Sequence, residues 1–85
     1  MPTVARFNGV AIRFYPRDHL PPHFHAFYGD REAVIRIKSV NVDMGSLPPA
    51  VLSDVLAWTQ RHQVELLENW NLCRNHHPAR PITYP

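Results

Sequence analysis

The chain has 85 residues, 45% of them apolar, and a formal net charge of +2. That is one small domain, able to bury only about two-thirds of the surface its unfolded chain exposes, and its mild basicity permits an anionic partner without demanding one. Cys73 is the single cysteine, which excludes an internal disulfide, and no run of about 18 apolar residues exists to span a membrane.

Met1-Pro2-Thr3 lacks the basic stretch and apolar run of a secretory leader, so the expectation is a cytoplasmic protein with no membrane partner. Residues 3–15 then read as a hairpin. Asn8-Gly9 separates two alternating apolar runs, and this pair suits a two-residue turn in which both residues take positive φ. Alternation places Val10, Ile12 and Phe14 on one face, with Ala11, Arg13 and Tyr15 on the other. Pro16 ends the strand, and residues 17–22 form a rigid loop. Residues 23–28 are aromatic-rich and predict a third strand. Gly29-Asp30 turns the chain into a fourth over 32–37, and 40–44 adds a short fifth, in which Val40, Val42 and Met44 share a face. Short turns throughout imply an antiparallel meander.

Gly45-Ser46 closes the sheet region. Ser46 is the expected helix cap, with Pro48 and Pro49 in the first turn. Leu52, Val55, Leu56 and Thr59 form one helical stripe, continued by Leu66, Leu67, Trp70 and Cys73. A straight helix over this span would be about 40 Å long, beyond the roughly 30 Å diameter of so small a domain. A bend or break near His62-Gln63 is therefore expected. The fold class is α+β: a meander of four to five strands, followed by a helical region, one bent helix or two consecutive ones, packed on one face. Residues 1–75 are read as the domain and 76–85 as a proline-rich tail, from which Ile82 and Tyr84 are placed to pack back.

Asp18-His19-Leu20-Pro21-Pro22-His23-Phe24-His25 carries three of the six histidines and a carboxylate in eight residues. Imidazoles ligate metals and move protons near neutral pH, and prolines hold the backbone that carries them. His23 and His25 are two apart on a strand, so they share a face. Three readings stand side by side. The histidines cap strand ends and are structural. Or Asp18, His19, His23 and His25 form an acid–base group, with Arg13, Arg17, Tyr15 and Tyr28 as contacts for an anionic ligand. Or His19, His23 and His25 hold a divalent metal in a metal-dependent enzyme, with Asp18 as a further ligand or partner. Arg13, Tyr15, Tyr28 and Arg36 on the exposed sheet face would suit single-stranded nucleic acid, although cross-strand packing explains them as well. Trp58 and Trp70 read as core, and Asp30, Arg31 and Glu32 as a solvated turn.

The order Phe7-Asn8-Gly9-Val10, the Asp18–Ala26 run, Tyr28-Gly29-Asp30, Gly45-Ser46-Leu47-Pro48, Trp58 and Glu65-Leu66-Leu67-Glu68-Asn69-Trp70 resembles a small bacterial family, catalogued as domain of unknown function 4160. The resemblance implies a stand-alone cytoplasmic protein, often encoded beside a second small domain and proposed to form toxin–antitoxin-like pairs. It brings no catalytic roles. The position after Ala26, often acidic in relatives, is Phe27 here, on the His23/His25 side, which weakens the metal alternative. The function expected from sequence is an interaction or toxin–antitoxin-type module. Its partner would be a protein encoded nearby or an anion, RNA among the candidates, held through the histidine loop.

Overall fold

The computed structural model describes residues 3–85. Five strands, β1 (Thr3–Phe7), β2 (Val10–Arg13), β3 (His23–Tyr28), β4 (Arg31–Arg36) and β5 (Asn41–Gly45), form one antiparallel sheet in chain order. Two helices follow, α1 (Pro49–Arg61) and α2 (Gln63–Arg74), completing the expected α+β architecture.

The first turn obeys its sequence: Asn8 has φ 48° and Gly9 φ 80°, the pair of positive angles that Asn-Gly tolerates. β2 is shorter than expected, because after Arg13 the chain leaves the ladder and turns, Asp18 N–H donating to the Tyr15 carbonyl. One face of the sheet builds the core. Ile12, Phe24, Ala26, Ala33 and Ile35 are all at 0% or near it and meet Val55, Trp58 and Leu66 from the helices. Burying each of the larger of these side chains contributes about 1.5–3 kcal/mol. Trp58 is the hinge of this core, tilted against Phe7 at 4.9 Å and edge-on to Phe24 at 6.1 Å.

Three sequence expectations are corrected. Ser46 does not cap α1; its N–H donates to the Glu32 carbonyl at the sheet margin, and Pro48 is the capping position, with no side-chain cap. Tyr28 is not on the open face. It pairs with Val10 across β2–β3 and packs against the core, which follows from its even spacing with Phe24 and Ala26. Met44 does not share a face with Val42. The β4–β5 register runs Val34↔Met44 and then Ile35↔Val42, so Asp43 is an extra residue, and the bulge sends Met44 to the open side, 66% exposed.

The helical region breaks where the length argument requires. His62, at φ −121° and ψ 26°, separates α1 from α2, and the longest dimension is 33 Å, too short for one straight helix. Residues beyond α2 are tied to the domain. Ile82 is 6% exposed and its N–H donates to the Val4 carbonyl at 2.8 Å. Asn69 bonds the Arg80 backbone twice, Trp58 Nε1 donates to the Thr83 carbonyl, and Tyr84 stacks on Phe7 at 4.7 Å. Among the described residues no helix is long and apolar enough to cross a membrane.

Candidate metal centre

The open face of the sheet is set by register. Arg13, His25, Val34 and Met44 lie in one row across β2–β5, and Ala11, Phe27 and Glu32 in the next. His23 starts β3 on the same side, and the loop after β2 folds Asp18 over it. The result is a compact group. Asp18 Oδ2 lies 2.9 Å from His25 Nε2 and 3.1 Å from His23 Nε2. One ligand atom from each of the three residues falls within 4.8 Å of the other two. All three side chains are largely covered, at 14–23% exposure.

The outer nitrogens are engaged as well. His23 Nδ1 is 2.8 Å from the Pro21 carbonyl oxygen, and His25 Nδ1 is 2.7 Å from Glu32 Oε2. Glu32 reaches His25 diagonally, because the Gly29-Asp30 hairpin pairs Phe27 with Glu32 and His25 with Val34. A backbone carbonyl and a carboxylate can only accept, so both Nδ1 atoms donate.

That leaves two Nε2 atoms facing a carboxylate oxygen, which also only accepts. Four acceptor contacts surround two rings, and two neutral imidazoles bring only two protons. Two of the four contacts are thus short of a proton, a shortage that a cation held between the two Nε2 atoms and Asp18 would make good. Ligands about 2.0–2.2 Å from a tetrahedral ion lie roughly 3.3–3.6 Å from one another, a few tenths of an ångström beyond the 2.9 and 3.1 Å contacts to Asp18, so the cluster would open slightly around an ion.

Two aromatic neighbours wall this group. Tyr15 meets His25 edge-on at 4.5 Å, and Phe27 stacks on its other flank at 6.3 Å. Phe27, whose apolar side weighed against metal in the sequence, lies beside His25 and leaves the Asp18–His23–His25 group intact. His23 also lies 5.1 Å from Trp70, which couples the site to α2.

The structure brings together Asp18, His23 and His25. His19 is exposed and lines the adjoining groove without joining the three. Arg13 donates to Thr3 Oγ1 and sits over the Phe27 ring at 5.0 Å. Arg17 is exposed on the loop. Glu32, read from sequence as part of a solvated turn, is the site residue that reasoning missed. Its signal was present in the two-residue hairpin, whose register puts residue 32 on the face of residue 25. Cys73 takes no part: burial pushes its thiol up, away from the reactive thiolate.

A groove of about 290 Å³ opens on the three residues, lined also by His19, Leu20, Val34, Asp43 and Met44. A second, of about 330 Å³, continues past His25 and Glu32.

The family model described as Domain of unknown function (DUF4160) matches residues 9–71, a span that includes Asp18, His23, His25 and Glu32, and the chain belongs to that family. No curated protein and no solved structure matches it.

Proposed function

We propose that this member of the family is a divalent-metal-binding protein, with Asp18, His23 and His25 as its protein ligands. The observation that carries this is the proton shortage. Both outer nitrogens are held by acceptors, while both inner nitrogens converge on one carboxylate oxygen. A metal ion replaces the two missing protons and turns every one of these contacts favourable. Outer partners of the kind formed by Pro21 and Glu32 are the usual device for orienting ligating histidines.

Three protein ligands leave coordination positions open, the pattern of catalytic and not of structural sites. Two imidazoles and one carboxylate suit zinc or iron(II). An ion held there would polarise a bound group or acidify a bound water. The groove beside it gives such a group access.

This reading is better supported than binding of RNA through the histidine loop. Neither groove is lined by lysine or arginine, and Arg36 is engaged by Asp43 at 2.9 Å. A toxin–antitoxin role and a protein partner encoded nearby rest on the family resemblance alone.

Titration of zinc into chelator-stripped, untagged protein tests the proposal. One site per chain is expected, abolished by His23→Gln with His25→Gln. Protein that takes up no zinc would overturn the proposal and leave the cluster as a hydrogen-bonded structural group.

A further inference from the structure

Resting on the metal reading above, we infer that the open positions take a small acid with a single negative charge and a short aliphatic body. Three features of the groove point there. The first is charge. A divalent ion with Asp18 as its one anionic ligand leaves about one positive charge at the centre. Glu32 lies behind His25 and Asp43 is paired with Arg36, so neither is a ligand of the ion. One negative head balances this. A phosphate or nucleic-acid backbone, carrying more charge, would find no lysine or arginine in the groove lining to meet it.

The second is apolar surface held in water. Leu20 and Met44 are both 66% exposed and both line the groove, together with Val34. Met44 is there because of the β5 bulge, which turns an aliphatic side chain out of the core and toward the ion site. The third is size. The space directly beside the ion site, about 290 Å³, is near the lower end of small-molecule sites and fits a compact ligand. An acidic head on the ion would therefore lay its aliphatic chain along Val34 and Met44.

The probe is a series of alkyl hydroxamates, from acetohydroxamate to octanohydroxamate, titrated calorimetrically into zinc-loaded protein. Affinity should rise by about two- to fourfold per methylene over the first few carbons as each is buried. Met44→Ser should flatten that rise with zinc affinity unchanged, and Met44→Leu should restore it. Affinity independent of chain length, or an undiminished rise in Met44→Ser, overturns the inference while leaving the metal site standing. Failure of the wild-type protein to take up zinc before any hydroxamate is added overturns both.

Discussion

Glu32→Gln separates a carboxylate that tunes a metal site from one that merely decorates a sheet. Glu32 Oε2 sits 2.7 Å from His25 Nδ1, and the side chain is 46% exposed. The glutamine carbonyl can still accept the Nδ1 proton, so the ring keeps its orientation and loses only the nearby charge. Losing an outer partner of a ligating histidine costs 10–100-fold in metal affinity. Partial exposure and the surviving hydrogen bond place this case near tenfold, or about 1.4 kcal/mol. With free zinc at about 100 times the dissociation constant, the wild-type protein gains about 2.7 kcal/mol of stability. The unfolding entropy of an 85-residue chain is about 0.18 kcal/mol/K. The zinc-induced rise in Tm is then about 15 °C for wild type and about 8 °C for Glu32→Gln at the same zinc concentration. The assay is calorimetric melting with and without zinc, chelator-treated protein serving as baseline. Metal-free Tm should differ little between the two, since an exposed ion pair contributes about 0–1 kcal/mol. A variant with full zinc stabilisation, or one destabilised by several kcal/mol before zinc is added, would refute the assignment of Glu32 as the group that positions His25.

Two further outcomes follow from the fold. At Gly45, which has φ 77°, an added Cβ would lie 2.1 Å from the Glu32 carbonyl oxygen; Gly45→Ala should cost more than about 2 kcal/mol in urea unfolding and weaken zinc binding through Glu32, and an unchanged midpoint contradicts the rigid β4–β5 margin. The Asp54 carboxyl is held below the ordinary carboxylate range by the Asn8 amide and then the Tyr84 hydroxyl; its contribution to stability is present above the unfolded carboxylate value near 3.9 and lost as pH falls through the lower folded value, so the gap in urea midpoint between wild type and Asp54→Asn should be open at about pH 6 and narrow toward pH 3. A gap that does not narrow contradicts that role.

Much of the fold was legible because its determinants are local. Asn8-Gly9 can form few turns other than the one observed, and chain length against domain diameter required the break at His62. Two of the errors, at Met44 and Ser46, depended on a partner distant in sequence, whereas Tyr28 was decided by strand parity with Phe24 and Ala26. Nothing local in 40–44 announces that Asp43 will be squeezed out of register, because the bulge is decided by pairing with Val34 and Ile35. Ser46 has cap chemistry, but its N–H is claimed by Glu32 across the sheet. The site divides in the same way. His23 and His25 shared a face by strand parity alone. That Asp18 and not His19 turns inward depends on how the loop closes over β3, and parity says nothing about loops. Glu32 stood between these cases, within reach of a register argument drawn from the tight hairpin at Gly29-Asp30.

The most direct measurement is an anomalous difference map, collected at the zinc edge from a crystal of zinc-loaded protein. One peak should lie about 2.0–2.2 Å from Asp18 Oδ2, His23 Nε2 and His25 Nε2, with Glu32 still on His25 Nδ1. An empty cluster, or zinc bound elsewhere on the chain instead, would contradict it.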